Sequence, residues 1–324
     1  MQPVQKARQR IGIIGLGPMG TALATSLLAE GFPVCCHDIS PDAMRPVVAQ
    51  GAECAPHPRA VARSSDLVMS FLPGPAEVAE VALNAERGVL AGLRPDALML
   101  DLSTCGPDTA MLLGSAFDRA GRRFVDCPVS RKAPDMTVLV GGAPGVLGDA
   151  AEVLGLVSRT VVYCGFRGAG YATKLLNQHV KYAWYLASAE ALALARRFGL
   201  DPDVTASAIE QSSGGESGLS TAAKYFRDDA VGMLAHAPAS TIEKDMDLAE
   251  AMAAAAGVRC RTLDVTADFF TAVGTTPFRN LPYPRSCELL ADLRIARRHV
   301  GPGDRKSTRL NSSHDELSRM PSSA

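Results

Sequence analysis

The chain has 324 residues, of which 47% are hydrophobic, and its acidic and basic residues nearly balance at a formal net charge of −1. This length predicts one large domain or two ordinary ones with a sizeable core. The near-neutral charge excludes the basic surface that nucleic-acid binding requires and favours a small-molecule partner.

The sequence predicts neither a secretory leader nor a membrane-spanning segment. Residues 1–9 form a polar tail without an apolar run behind it, and no uncharged stretch reaches membrane length. The eight cysteines include no CxxC pair, and no histidine cluster has metal-site spacing. We therefore expect a soluble cytoplasmic protein with reduced thiols and no metal.

Residues 10–165 alternate short apolar runs with helix-period segments. Seven runs predict strands: IGIIGL, PVCCHD, DLVMSFLP, ALMLDLS, RFVDCPVS, TVLVGG and TVVYCG. They are continuously apolar rather than alternating, which is typical of parallel strands covered on both faces. The fold class is therefore α/β, with a doubly wound Rossmann-type sheet in this region.

A glycine-rich stretch follows the first predicted strand directly and opens a helix. It comprises Gly15, Leu16, Gly17, Pro18, Met19 and Gly20. In a dinucleotide site, the first glycine permits the tight turn, the second lets the backbone approach the pyrophosphate, and the third lets the helix pack on the strand. The helix N-terminus then faces the phosphates. The alternative is an ordinary glycine turn without a ligand.

Asp38 ends the second predicted strand, eighteen positions after Gly20. A carboxylate there accepts hydrogen bonds from the adenosine ribose and repels a 2′-phosphate, which favours NAD over NADP. An Asx turn before Ser40 is the alternative role. Because Arg45 could reach a phosphate from the next helix, NADP stays open as a second cofactor.

The character of the sequence changes after residue 165. Residues 171–198 form one apolar-periodic stretch without proline or glycine, which predicts a long helix joining the sheet to an all-helical domain over 166–299. Its aromatic residues Tyr182, Trp184 and Tyr185 are expected to pack against a second subunit or within the domain itself.

Residues 300–324 are expected to be a disordered tail, because they are polar and lack periodicity. From Asp304 onward, the tail also resembles the in-frame translation of a sequencing adapter. We therefore exclude it from the expected fold.

Six motifs occur along the chain in a fixed order: GLGPMG, FLPGPAEV, DLSTCGP, DCPVS, GAGYATKLLNQ and EKDMDLA. Through them, residues from about 10 to about 293 resemble the β-hydroxyacid dehydrogenase family, which includes 3-hydroxyisobutyrate dehydrogenase and tartronate semialdehyde reductase and has a 6-phosphogluconate dehydrogenase-like architecture. The resemblance implies an NAD(P)-dependent 3-hydroxyacid dehydrogenase or semialdehyde reductase that acts on a small acidic substrate. It also implies a homodimer or homotetramer.

The resemblance further implies roles for residues within these motifs. Those on the cofactor side are Leu72, Pro73, Ser103, Thr104 and Lys244. Those on the substrate are Ser130 and Asn177, and Lys174 is the general acid/base. Gln178 is a further substrate candidate, because it lies four positions after Lys174. Two alternatives stay open: Ser103 and Thr104 could cap the next helix, and Lys244 could be an exposed lysine among acidic residues.

The spacing of the long helix gives Lys174 independent support. Asn177 and Gln178 lie three and four positions after it, so all three project from one face. A lysine there, in an apolar cleft, loses hydration, and its pKa falls toward neutrality, as proton exchange with a hydroxyl requires. A solvated helix lysine is the alternative.

The segment after Ser130 departs from the family pattern. Arg131 and Lys132 stand where relatives carry two glycines, and the loop is about five residues shorter. The planar donors of Arg131 could bind the anionic end of the substrate, such as a carboxylate, sulfonate or second acidic group. In the alternative, both cations point to solvent.

Two other functions remain compatible with the sequence. An imine reductase could use the same architecture, although such relatives generally replace the catalytic lysine, which this chain keeps as Lys174. A non-catalytic cofactor-binding module is the other alternative, and such relatives tend to lose the same lysine.

Overall fold

The computed structural model describes residues 8–197, 199–212, 218–255 and 261–291. The expected tail over 300–324, with its adapter-like segment from Asp304, lies outside the described residues, as does residue 198 at the predicted end of the long helix. In the described ranges, no helix combines the length and the apolar character needed to cross a bilayer.

A six-stranded parallel sheet forms the first half of the chain. Its strands are β1 (Ile11–Ile14), β2 (Val34–His37), β3 (Glu53–Cys54), β4 (Leu67–Ser70), β5 (Leu98–Asp101) and β6 (Arg123–Asp126). They lie in the order β3-β2-β1-β4-β5-β6, so the winding reverses between β1 and β4. Sheets of this order bind nucleotides at that reversal, outside the carboxyl ends of the strands.

Helices cover both faces of this sheet, as the doubly wound prediction requires. They are α1 (Pro18–Ala29), α2 (Pro41–Val48), α3 (Pro58–Ser64), α4 (Pro75–Leu83), α5 (Val89–Gly92) and α6 (Pro107–Arg119). Successive residues of β4 enter two different hydrophobic clusters, with Leu67 and Met69 in one and Val68 in the other. The strands are therefore buried on both sides, which explains their continuously apolar sequences.

The last predicted strands form a separate sheet instead of extending the first. It contains β7 (Val129–Ser130), β8 (Met136–Val140) and β9 (Ser158–Tyr163), and α7 (Ala150–Val157) precedes β9. β7 pairs antiparallel with β8, which pairs parallel with β9. Only Cys127 and Pro128 separate β6 from β7, too few residues for the crossover that a parallel return needs.

The described part of the second half is helical, as predicted. Its helices are α8 (Ala169–Arg197), α9 (Pro202–Glu210), α10 (Gly218–Phe226), α11 (Ala230–Leu234), α12 (Ala239–Ala255), α13 (Arg261–Gly274) and α14 (Cys287–Ala291). Two 3-10 turns, Pro277–Asn280 and Tyr283–Ser286, lie between α13 and α14. Tyr182 and Tyr185 of α8 are buried in this region's own core, which is the intrachain alternative for these two residues. Trp184 is only half-buried, so packing against a second subunit stays a prediction for it.

Candidate active site

The glycine loop after β1 has the close backbone packing that its motif predicts. Gly15 has a φ of +88°, a left-handed conformation that glycine adopts without strain. A Cβ at Gly15 would overlap the carbonyl oxygen of Phe71, and one at Gly20 would overlap that of Gly15. Both glycines are therefore required by the contact between the loop, α1 and the end of β4.

Gly17 differs from its two neighbours, because a Cβ there would meet nothing within 4 Å. It precedes α1, whose first helical residue is Pro18, and no side chain caps this helix. The open space beside uncapped N–H groups and the positive end of the helix dipole fits an anionic phosphate. This loop therefore fits the pyrophosphate of a dinucleotide.

Asp38 follows β2 and connects to this loop. Its carboxylate accepts hydrogen bonds from the backbone N–H of Leu16 at 2.7 Å and from that of Ser40 at 2.8 Å. The Ser40 contact is the predicted Asx turn, and the Leu16 contact places the same carboxylate beside the nucleotide loop. The two roles considered for Asp38 are thus compatible.

A fully buried carboxylate, Asp101, organises the cofactor segments after β4 and β5. It accepts hydrogen bonds from Ser70 Oγ at 2.6 Å, Ser103 Oγ at 2.8 Å and Tyr171 Oη at 2.7 Å. Ser103 Oγ in turn accepts the N–H of Leu72 at 2.8 Å. Burial raises the pKa of Asp101, and these hydrogen bonds oppose that rise.

The Asp101 network corrects one alternative from the sequence. Ser103 bonds Asp101 and Leu72 instead of capping α6, whose N-cap residue is Gly106 without a side-chain cap. Half-buried Thr104 does not cap α6 either. The network therefore fixes the backbone of Leu72 beside Ser103, where the resemblance places the nicotinamide.

A second buried carboxylate anchors the start of α8. Asp126, at the end of β6, accepts the N–H of Gly168 at 2.9 Å and that of Tyr171 at 3.1 Å. A Cβ at Gly170 would lie 2.8 Å from the same carboxylate, so this turn needs glycine there. Burial raises the pKa of Asp126, while the backbone donors favour its charged form. Asp126 thereby fixes the helix one turn before Lys174.

Lys174 projects from α8 into a dry environment, with only 7% of its surface exposed. Burial lowers the pKa of Lys174 to about 8, although Asp245 opposes the shift; Lys181 and Lys244 add to it by like-charge repulsion. Its ammonium group donates to Gln178 Oε1 at 3.3 Å. The structure thus gives this lysine the depressed pKa that the sequence predicts.

Gln178 links the lysine to α12. Its amide donates to Asp245 Oδ2 at 2.7 Å, and its carbonyl also accepts from Asn177 Nδ2 at 3.3 Å. Asp245 lies on α12 and is 1% exposed. Asp245 was not predicted as a site residue, although it lies directly after Lys244 in the EKDMDLA motif.

Lys244 reaches from α12 to the segment after β4. Its ammonium group lies 3.0 Å from Asp245 Oδ1 and donates to the Pro73 carbonyl oxygen at 3.2 Å. Lys244 is therefore not the freely exposed lysine of the alternative interpretation. It brings the lysine network and the predicted cofactor segment together.

The substrate-loop residues are less closely connected. Ser130 ends β7 and is half-buried, whereas Arg131 is exposed and has a φ of +66°. Among the contacts of the described residues, none joins Ser130 or Arg131 to Lys174. Arg131 thus has a left-handed backbone conformation that glycine adopts freely. For a residue with a side chain, this conformation costs about 1 kcal/mol.

Two family models match most of the chain. The NAD-binding domain of 6-phosphogluconate dehydrogenase matches residues 10–165. The NAD-binding domain of NADP-dependent 3-hydroxyisobutyrate dehydrogenase matches residues 168–277. These matches and the fit of the glycine loop identify an NAD(P)-binding protein.

Curated relatives include dehydrogenases of two hydroxy acids. Human mitochondrial 3-hydroxyisobutyrate dehydrogenase is 33% identical over 209 residues, which are 63% of this chain. The match spans 62% of the human protein, less than two thirds of its length. The 2-(hydroxymethyl)glutarate dehydrogenase of Eubacterium barkeri is 32% identical over 210 residues, 63% of this chain and 69% of that protein.

Solved structures show the same fold. Mycobacterium tuberculosis 3-hydroxyisobutyrate dehydrogenase, solved with L-serine, superposes with a TM-score of 0.78 at 25% identity and covers 87% of this chain and 99% of its own. An imine reductase from Pseudomonas sp. reaches 0.56 at 18% identity, over 87% of this chain and 99% of its own, and shares the fold alone. Sequence motifs, family models and relatives agree: the chain belongs to the β-hydroxyacid dehydrogenase family.

Proposed function

We propose that the protein is an NAD(P)-dependent oxidoreductase acting on CH–OH groups, a 3-hydroxyacid dehydrogenase that works in reverse as a semialdehyde reductase. The observation that carries this proposal is Lys174, buried and with a pKa lowered to about 8. A basic group in this range exchanges protons efficiently near neutral pH. Residues 10–165 hold the nucleotide, and residues 166–299 supply Lys174 and subunit contacts.

Residues of α8 accept and return the proton of the reaction. When bound, the nicotinamide exchanges a hydride with the hydroxyl-bearing carbon. During oxidation, neutral Lys174 accepts the hydroxyl proton at Nζ, and during reduction it returns that proton to the carbonyl oxygen. Gln178 Oε1 accepts a hydrogen bond from the resulting ammonium group, and Asp245 orients Gln178. Asn177 and Ser130 complete the proposed contacts to the substrate.

A substrate panel tests the proposal directly. We expect the purified protein to oxidise small 3-hydroxy acids and to reduce the matching semialdehydes, as followed by nicotinamide absorbance with NAD and NADP. Reduction of a cyclic imine with NADPH, without hydroxy-acid oxidation, would favour the imine reductase alternative. Nucleotide binding without any turnover would favour the non-catalytic module.

We propose that NAD is preferred over NADP. The support is Asp38, whose carboxylate lies against the Leu16 N–H of the nucleotide loop and so adds negative charge where a 2′-phosphate would sit. Arg45, the residue that could offset this charge, already pairs with Asp42. The ratio of kcat/KM for the two nucleotides in the same panel checks this preference.

We propose that Arg131 binds the acidic end of the substrate. Its support is the positive φ of an exposed arginine at a position next to Ser130, since strain of this kind persists mostly at functional sites. Arg131→Ala should raise the KM of a hydroxy acid far more than that of the matching neutral alcohol. Equal losses on both substrates would instead support the solvent-facing alternative.

We propose a homodimer or homotetramer in which α8 contributes to the interface. Tyr182 and Tyr185 are already buried within the chain, but Leu176 and Val180, one turn apart on α8, are 53% and 61% exposed. Such an apolar stripe is costly to leave in water. Light scattering of the wild type and of Val180→Glu checks the oligomeric state.

We propose a cytoplasmic location. The seven described cysteines are free thiols, five of them buried, which suits a reducing compartment. The human relative is mitochondrial by name, so cell fractionation is the measurement that separates the two compartments.

A further inference from the structure

Beyond the catalytic lysine, α8 and its neighbours carry a second group of basic side chains. Lys181 Nζ lies over the rings of Tyr182 and Tyr283, at 5.1 Å and 5.9 Å from their centroids. The ring of His236 packs edge-on against Tyr283 at 5.2 Å, and its Nε2 lies 3.1 Å from Lys224 Nζ. We call Lys181, Lys224 and His236 the basic cluster; its members come from α8, α10 and the segment after α11.

The basic cluster is continuous with the catalytic network. Lys181 lies seven residues after Lys174, so it returns to the same helix face about 10 Å further along the axis. Helix side chains lean toward the N-terminus, which brings the Lys181 stem back toward Lys174. Gln178 also donates to Tyr182 Oη at 3.4 Å, and Tyr182 packs against Tyr283. Gln178, Tyr182 and Tyr283 are themselves buried, so the accessible side of this connection is formed by Asn177 and Lys181, which lie one turn apart on α8 and are both exposed.

Among the described residues, the lysines of the basic cluster are not paired with carboxylates, and Asp245 acts on Lys181 only by charge attraction. The nearby acid, Asp245, already bonds Gln178 and pairs with Lys244. Positive potential is therefore left over on this side of the site, and it attracts anions.

His236 orients one of the two ammonium groups of the basic cluster. Burial and the charges of Lys224 and Lys181 lower the pKa of His236 to about 4, so its ring is neutral and accepts a hydrogen bond from Lys224. Lys181 is exposed overall, yet partial burial of its ammonium group lowers its pKa as well. Two incompletely hydrated ammonium groups, one of them oriented by His236, are suited to a carboxylate.

We propose that the basic cluster binds a second anionic group of the substrate, so that the preferred substrate is a hydroxy acid with two carboxylates. This inference rests on the proposed dehydrogenase function. Arg131 then binds the acidic end at the substrate loop, and Lys181 and Lys224 bind the distal carboxylate beyond Lys174. The enzyme then selects its substrate by the distance between the hydroxyl-bearing carbon and the distal carboxylate, rather than by the reacting group.

A matched pair of substrates tests the proposal. The dicarboxylate is 2-(hydroxymethyl)glutarate, and the monocarboxylate is 3-hydroxyisobutyrate. We expect the wild type to favour the dicarboxylate in kcat/KM by at least tenfold. Lys224→Gln should remove most of this preference through KM of the dicarboxylate, with less than a threefold effect on the monocarboxylate, and Lys224→Arg should retain most of it.

Arg227→Gln is the matched control, because this exposed cation lies three residues after Lys224 and pairs with Asp203 at the surface. It should leave both substrates unchanged. Turnover of both acids without preference, or equal losses on both in Lys224→Gln, would overturn the second subsite and leave the dehydrogenase function standing. Absence of turnover on either acid would instead contradict the dehydrogenase function.

A binding measurement separates the subsite from catalysis. Glutarate, which has no hydroxyl to oxidise, should raise the melting temperature of the wild type in the presence of nucleotide more than butyrate does. Lys224→Gln should abolish this difference, and Arg227→Gln should preserve it. Equal stabilisation by the two acids would overturn the proposal whatever the kinetic result.

Discussion

The two sides of the candidate active site are built by different means. On the nucleotide side, the backbone forms the site: Gly15 and Gly20 leave no room for a Cβ, and Gly17 leaves open space. On the lysine side, side chains form it, since Lys174 depends on Gln178, which Asp245 orients. The first arrangement depends on backbone packing of the loop against the segment after β4, whereas the second depends on side-chain contacts within α8 and between α8 and α12.

This difference teaches what each side tolerates. A methyl group added at Gly15 or Gly20 overlaps backbone atoms of a tightly packed turn, and the fold itself suffers. A side chain changed on the lysine side alters charge and proton affinity, and the fold can survive. Each side can therefore be tested by a change that should spare the other.

The largest effect is expected on the lysine side. Lys174→Met removes the group that exchanges the proton, so kcat for a hydroxy acid should fall by about 10²–10⁴. Lys174→Arg should lose as much, because a guanidinium keeps its charge but does not release a proton. Nucleotide affinity, measured by fluorescence titration, should stay close to that of the wild type. Near-normal turnover of either variant would end the assignment of Lys174.

On the nucleotide side, Gly20→Ala and Gly17→Ala form a matched pair. The new Cβ of Gly20→Ala would overlap the Gly15 carbonyl oxygen, so we expect a loss of about 2 kcal/mol or more in unfolding free energy. Gly17→Ala meets no protein atom within 4 Å and should unfold normally. Its methyl group faces the phosphate position, so nucleotide affinity should fall at least tenfold. Unchanged affinity would place the phosphates elsewhere.

The same contrast explains what the sequence could predict. The glycine loop, the apolar strands and Lys174 are recognisable because their pattern lies within one short stretch each. The carboxylates that organise the site are not, since their partners are distant: Asp101 bonds Tyr171, 70 positions away, and Asp245 bonds Gln178, 67 positions away. Sequence spacing alone does not show which distant elements meet.

Two further details escaped prediction for local reasons. Strand β3 has only two residues, both exposed, so it lacks the apolar run by which the other strands were recognised. The predicted strands TVLVGG and TVVYCG, with the end of RFVDCPVS, were assigned to the large sheet because apolar runs show burial but not pairing partners. Their place in a second sheet follows from the short β6–β7 connection.

Asp126 tests how strongly the sheet fixes the start of the lysine helix. Asp126→Asn retains one oxygen acceptor and turns an amide donor toward a backbone N–H, so we expect a loss of about 1–3 kcal/mol in unfolding free energy. Asp118→Asn breaks an exposed pair with Arg167 and should cost less than about 1 kcal/mol. Urea unfolding compares the two. Equal costs would mean that the Asp126 contacts add little to the anchoring of α8.

The smallest expected effect is a shift in the pH profile of kcat/KM, in opposite directions for two variants near Lys174. Oxidation requires neutral Lys174, so kcat/KM should rise with pH and level off above about 8. The charge of Lys181 lowers this pKa, so Lys181→Gln should move the profile to higher pH. Asp245 raises the same pKa, so Asp245→Asn should move it to lower pH, since its remaining oxygen can still accept from Gln178.

A monocarboxylate substrate keeps this measurement independent of the basic cluster, and Arg227→Gln, which alters only a surface pair with Asp203, should leave the profile in place. Opposite shifts of this kind are difficult to produce by general damage, which would lower the rate at every pH without moving the midpoint. Shifts of the same sign in both variants would show that the midpoint belongs to another group. In that case the side chains around Lys174 would hold it in place without setting its pKa.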